Sequence, residues 1–196
     1  TYLIDTNDST YTTYGLAITY NNLKMVGSTS VGGGANGQCV IKAGPNVTGT
    51  LMGCPVRQDG LILQDLSFDG SDIADYCFQA AVTHPYSSTE RCKFRQATIA
   101  GFKASGFVWK ISHCLFEDNV IGLKIVSNGG SPNTSLDLNN CYANRNVTIG
   151  YDIDLVRYSN FSTLAADANA LAYDFKNLRG VSINGIGMES CPKGIL

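Results

Sequence analysis

Charge is the scarcest ingredient of this sequence. Only 15% of its 196 residues are Asp, Glu, Lys or Arg, against about 25% in an ordinary soluble domain. With 14 basic and 16 acidic residues the net charge is -2. No Lys/Arg run exists, which excludes the basic footprint expected of a nucleic-acid binder. No stretch approaches about 18 uncharged apolar residues, so no membrane insertion is expected. There is no CxxC pair, which argues against a zinc ribbon or a dithiol redox motif. Also missing are a Gly-Lys-Ser/Thr phosphate loop after Gly32-Gly33-Gly34 and a GxSxG serine elbow. No cofactor is expected.

What is present is apolar residues at 44%, 21 Gly and 16 Asn. That apolar share argues against disorder. The seven cysteines (Cys39, Cys54, Cys77, Cys92, Cys114, Cys141, Cys191) are an odd number. They read as free buried thiols of a protein folded in a reducing compartment. The start at Thr1 and the apolar finish Gly194-Ile195-Leu196 suggest one domain over 1–196, cut from a longer chain.

The sequence repeats itself. A glycine followed by apolar, polar and apolar residues recurs at Gly101-Phe102-Lys103-Ala104, Gly122-Leu123-Lys124-Ile125 and Gly150-Tyr151-Asp152-Ile153. Ala172-Tyr173-Asp174-Phe175 is a degenerate copy, and Gly194-Ile195 begins another; the spacings are 21, 28, 22 and 22 residues. A second unit precedes it, at Cys92-Lys93-Phe94-Arg95, Cys114-Leu115-Phe116-Glu117 and Ile186-Gly187-Met188-Glu189. Leu66-Ser67-Phe68-Asp69 and Cys141-Tyr142-Ala143-Asn144 fit more loosely. Alternation inside each unit signals short strands. Gly, Asn and Ser-Asn pairs supply turns. Residues 161–173 are the one weak helix candidate, or equally a loop. A unit this small cannot bury its own apolar face, so successive units must stack. The expected fold is all-β, a right-handed parallel β-helix with 21- to 28-residue coils. Cys92, Cys114 and Cys141 should stack inside it, as should Phe68, Phe94 and Phe116. Leucine-rich repeats are excluded by the lack of their Leu frame.

Asn22-Leu23-Lys24-Met25-Val26-Gly27, the Gly-rich 28–37, Cys39-Val40-Ile41-Lys42-Ala43 and Leu61-Ile62-Leu63-Gln64-Asp65-Leu66-Ser67-Phe68-Asp69-Gly70 resemble the opening coils of a known family. This is the pectate-lyase-like β-helix superfamily, in the subset common in bacteriophage tailspikes. The resemblance implies binding, and cleavage by a glycosidase or lyase, of bacterial surface polysaccharide. It also implies a homotrimer in a virion tail. The alternatives are a non-catalytic receptor-binding or structural β-helix of a phage tail or adhesin, and a secreted, extracellular pectate-lyase-type enzyme.

Candidate chemistry follows from stacking, since coils repeat about every 4.8 Å. One outward column is Lys103, Lys124, Asp152 and Asp174. Asp152 and Asp174 would stand near the carboxylate spacing of a retaining glycosidase; the plainer reading is a charge ladder in which Lys124 pairs with Asp152. A second column is Asp69, Arg95, Glu117, Asn144 and Glu189, beside Asp118 and Arg145. Glu117 and Asp118 are candidate acid and base, and Arg95 and Arg145 candidate clamps for an acidic sugar. Here too, ion pairing across coils is the plainer reading. Tyr142, Tyr86, Tyr158 and Trp109 are candidate sugar-stacking rings, with an interior place equally open to Trp109. His113 is considered as a base near Glu117. No metal site is expected; Asp69, Asp72 and Asp75 read as a turn. Sequons at Asn7, Asn46, Asn133, Asn146 and Asn160 matter only in a eukaryotic secretory setting.

Overall fold

The computed structural model describes residues 1–27, 39–81, 84–127 and 129–196. The Gly32-Gly33-Gly34 run and the rest of 28–37 lie outside the described residues. Among them the chain is all strand and turn, a parallel β-helix. One sheet has twelve strands, a second eight, a third four, and neighbouring rungs pair in parallel.

The repeats of the sequence are the rungs. On the eight-stranded face the strands Ala100–Ala104, Ile121–Ile125, Ile149–Asp154 and Leu171–Lys176 carry the glycine unit in register. On the twelve-stranded face Phe68, Phe94, Phe116 and Ala143 align, and Ala166 and Met188 continue the column. Residues 161–173 are not a helix: 161–167 lie in the strand Asn160–Asp167, 171–173 in the strand Leu171–Lys176, and 168–170 form the corner between them. Parallel pairing on both sides turns Phe161, Leu164 and Ala166 to the core, the alternation shifting by one residue at the left-handed Thr163.

Inside, the expected ladders form. Phe68 and Phe94 stack with ring centroids 5.0 Å apart, Phe94 and Phe116 at 5.6 Å. Facing them, Phe78 and Phe102 stack at 5.3 Å. Further along, Ala143 and Ala166 replace phenylalanine on one wall, and Tyr151 and Tyr173 replace it on the other. The tyrosine hydroxyls cross the interior to donate to the carbonyls of Ala165 (3.1 Å) and Leu164 (3.0 Å). All seven cysteines are free. Cys92, Cys114 and Cys141 sit consecutively behind a backbone bend, their thiols donating to the carbonyls of Glu90, Ser112 and Asn139. Burial pushes the Cys92 thiol up to about 12, which leaves it an unreactive packing group. Trp109 is interior and donates to Thr89 Oγ1.

Corners also stack. Asp65, Arg91, His113, Asn140, Thr163 and Gly185 all take left-handed backbone angles at one bend. Gln96, Asp118, Arg145, Ala168 and Ser190 do so at a second. The residues after this second corner include a buried amide ladder. Asn119 Oδ1 accepts from Ala97 N, Asn146 Oδ1 from Asn119 N, and Asn169 Oδ1 from Asn146 N. Each Nδ2 donates to a carbonyl of the preceding coil, those of Phe94, Phe116 and Ala143. The Asn146 sequon is therefore sealed inside the corner at 1% exposure.

Candidate functional site: an outer groove on the twelve-stranded sheet

Both predicted outward columns exist. On the eight-stranded face Lys103, Lys124, Asp152 and Asp174 are in register. Lys124 Nζ lies 2.6 Å from Asp152 Oδ2, and Lys176 Nζ lies 2.5 Å from Asp174 Oδ2 and 3.7 Å from Asp152 Oδ1. Each aspartate thus faces an ammonium, the arrangement of a charge ladder. At the head of the column Lys103 stands over the Tyr76 ring, 5.2 Å from its centroid. Burial, and next the charge of Lys124, lower its pKa.

On the twelve-stranded face the column runs Lys42, Asp69, Arg95, Glu117, Asn144, Asp167 and Glu189. Its first half is closed by ion pairs. Arg95 Nη2 holds Asp69 at 2.9 Å, and Lys93 pairs with Glu117. Arg145 binds both oxygens of Asp118 at 2.8 and 2.9 Å and reaches Glu117 at 3.6 Å. The guanidiniums expected to clamp an acidic sugar are therefore engaged with the chain's own carboxylates. Asp69 caps its own turn by accepting from Ser71 N. His113 is exposed in the bend column, at the end of strand Leu115–Glu117 away from Glu117. Among the described residues no group of three His, Cys, Asp or Glu is placed to hold a metal ion.

The second half of that column differs. Neither Asp167 nor Glu189 forms an ion pair with a described residue. They are adjacent in register, which places them about 4.8 Å apart along the stack. Tyr142 OH donates to Asp167 Oδ2 at 3.2 Å, while Asp167 Oδ1 is shielded and has no partner. Partial burial, and next the Asp167 carboxylate, push the Tyr142 phenol above its usual value. It therefore stays a hydrogen-bond donor.

The groove beside this pair has a simple cause. The outward column next to the carboxylates runs Leu115, Tyr142, Ala165, Gly187. From Tyr142 onward side chains shrink from rung to rung, so Tyr142 stands as a step above a floor of Ala165 and Gly187. The resulting depression of about 230 Å³ is bordered by Tyr142, Asp167, Met188 and Glu189. It continues across the sheet into a second of about 280 Å³, bordered by Asn140, Thr163 and Gly185 at the stacked bend. Beyond the bend lies a strip of amides and hydroxyls, in which Asn139 Nδ2 donates to Ser162 Oγ at 2.6 Å and Asn160 Nδ2 to Asp137 Oδ1 at 3.2 Å.

Of the residues singled out in the sequence, the structure brings together Glu117, Asp118 and Arg145, and separately Asp152, Asp174 and Lys124. Tyr142 and Glu189 belong to the groove. Asp167 was missed, because residues 161–173 did not read as a coil; its signal was an acidic residue one rung before Glu189. No protein-family model, no curated protein and no solved structure matches the chain.

Proposed function

We propose that this β-helix binds a polysaccharide across the outer face of its twelve-stranded sheet and hydrolyses it between Asp167 and Glu189. The observation that carries the reading is that these two carboxylates, alone in their column, are left without a cation beside a groove with an aromatic step. The other candidate carboxylates, Glu117, Asp118, Asp152 and Asp174, are each already neutralised by a lysine or arginine. A carboxylate held by an ammonium is a poor proton donor, whereas an acid–base pair needs one member able to carry a proton.

The division of roles follows from surroundings. Asp167 accepts the Tyr142 hydroxyl on one oxygen and has no partner on the other, which orients it to be nucleophile or base. Glu189 is exposed and can protonate the leaving oxygen. A rung spacing of about 4.8 Å is close to the separation of carboxyls in retaining glycosidases, about 5 to 5.5 Å. Sugar hydroxyls would meet the amide strip, and a sugar ring would lie against Tyr142. The resemblance of the first coils to phage tailspikes supports a bacterial surface polysaccharide as the polymer, with a homotrimer in a virion tail as the setting.

The test is to incubate the protein with bacterial capsule or O-antigen and size the products. Shorter chains are expected, and Asp167→Asn or Glu189→Gln should slow cleavage by about 100-fold or more. Loss of cleavage in Asp152→Asn, Asp174→Asn or Glu117→Gln, with the groove variants active, would move the site to the ion-paired columns. The shallowness of the groove favours a second reading, binding without cleavage, whose mark is retention on the polymer with no change in its length.

A further inference from the structure

We propose that a second, separate surface, the ridge formed by Tyr86, Phe107, Tyr158, Arg157 and Arg179 at the four-stranded face, binds carboxylate-bearing polysaccharide. This rests on its own residues and not on the groove.

The chain has six arginines. Four close ion pairs with acidic side chains: Arg57 with Asp59, Arg91 with Asp65, Arg95 with Asp69, and Arg145 with Asp118. Arg157 and Arg179 close none with a described residue, yet a parallel bridge sets them side by side on adjacent rungs. Like charges directly opposite each other destabilise a sheet; where Asp152 and Asp174 stack, lysines neutralise them, whereas no acidic side chain among the described residues does so here. Two guanidinium forks about one rung apart match a carboxylate that both can hold.

The flanking column adds the second half of the argument. Tyr86, Val108, Ser135, Tyr158 and Gly180 occupy successive left-handed corner positions. Their amides donate to strand carbonyls of the next coil, Tyr158 N to Arg179 O at 3.0 Å and Tyr86 N to Phe107 O at 3.2 Å. The corner is therefore satisfied by backbone alone. Left-handed angles favour Gly, Asn or Asp and penalise bulky side chains, so the backbone gives no reason for tyrosine here. Both rings nevertheless point into solvent, Tyr86 at 64% and Tyr158 at 65% exposure. Tyr158 leans over Gly180, where an added Cβ would meet the ring at 3.1 Å. Phe107 packs edge-on against Tyr86, with centroids 5.9 Å apart. The ridge thus offers flat apolar faces with polar rims, about three rungs or 14 Å apart along the axis, beside two uncompensated cations. Sugar rings fit the first feature, and uronate carboxylates the second. A nucleic acid is disfavoured, because two cations on a chain of net charge -2 supply little counterion release.

The experiment is binding to immobilised polygalacturonate, with dextran as neutral polymer and single-stranded oligothymidylate as phosphate polymer. Retention on polygalacturonate that weakens with salt is expected, with little on the other two. The Arg157→Gln, Arg179→Gln double variant should lose at least about tenfold in affinity, a difference of about 1.4 kcal/mol, and Tyr158→Ala several-fold. Arg157→Lys with Arg179→Lys, which keeps the charge and loses the fork, should fall between. Lys103→Gln, which removes a cation on the eight-stranded face away from both the ridge and the groove, should bind as the parent does, which separates the paired guanidiniums from net charge. Unchanged binding in a folded double Gln variant, no retention on polygalacturonate, or tighter binding of the oligonucleotide would each overturn the proposal.

Discussion

The coils before Glu117 and those after Asn119 solve one problem in two ways. Both must fill a narrow interior and satisfy the backbone at a sharp corner. The earlier coils fill it with phenylalanine on both walls and cross the corner at Ala97. On the twelve-stranded side they bend between separate three- or four-residue strands, such as Ser88–Glu90 and Lys93–Arg95. Outside, their columns are tied by ion pairs. The later coils carry alanine opposite tyrosine, tie the corner with buried asparagine, and run through the bend as eight-residue strands. No Asn occurs between Asn46 and Asn119, while eleven of the 16 lie from Asn119 onward. On the twelve-stranded face, moving corner satisfaction into side-chain amides coincides with the unpaired carboxylates Asp167 and Glu189, while on the eight-stranded face ion pairs continue through Asp152 and Asp174. The stack of ion pairs is structural; the groove lies where it stops.

Substitutions can break this contrast. The largest loss is expected from Phe94→Ala, which removes the centre of the aromatic stack: about 3 to 5 kcal/mol of stability, read by urea denaturation. Asn146→Ala should cost about 2 to 4 kcal/mol. It strands Asn119 N, which loses its acceptor at 3.1 Å, and takes one partner each from Asn119 Nδ2 and Phe116 O. An amide deletion costing under about 0.5 kcal/mol would mean that water replaces the ladder. Extending the phenylalanine stack by Ala143→Phe should overpack the later coils by about 1 to 3 kcal/mol. Adding Tyr151→Leu should recover part of that loss in a double-mutant cycle if the two walls exchange volume.

The smallest effect is a pH dependence placed in the earlier coils. His84 is fully buried, accepts from Gln58 N at 3.0 Å, and leaves Nε2 without a partner. Burial lowers its pKa below the usual 6.5. The unfolded chain then binds the proton more readily, so stability is full above pH 6.5 and declines as pH falls below it. Chemical denaturation midpoints at pH 7.5 and 5.5 measure this; equal midpoints would contradict a neutral buried imidazole.

Much of the fold was legible because a β-helix writes its geometry as a period. Gly101, Gly122 and Gly150 announce their rungs, and Phe68, Phe94 and Phe116 the interior. The site was less legible for two reasons. Asp167 lies in a rung whose Ala165 and Ala166 gave no aromatic or cysteine marker, so its place beneath Asn144 could be seen only once the strands were paired. The asparagine ladder was read as turn chemistry, since Asn119, Asn146 and Asn169 follow corner residues and nothing local tells a buried amide from a solvated one. Trp109 and Tyr158 show the same limit. Both sit among strand-like neighbours, yet one is sealed inside and the other stands in solvent, decided by a one-residue change of side across a corner.

Sequence alone therefore determined the coil period, the all-β class, the free internal thiols and the columns of the coils that carry a glycine, phenylalanine or cysteine marker, because alternation and repeat length translate directly into register. Tertiary structure decided which of those charges are neutralised. Ion pairing depends on residues one coil away and on their reach: Lys93 finds Glu117 across one rung, while Lys176 turns back to Asp174 on its own strand. The unpaired remainder, Asp167 with Glu189 and Arg157 with Arg179, is a property of stacking and has no local signature in the chain.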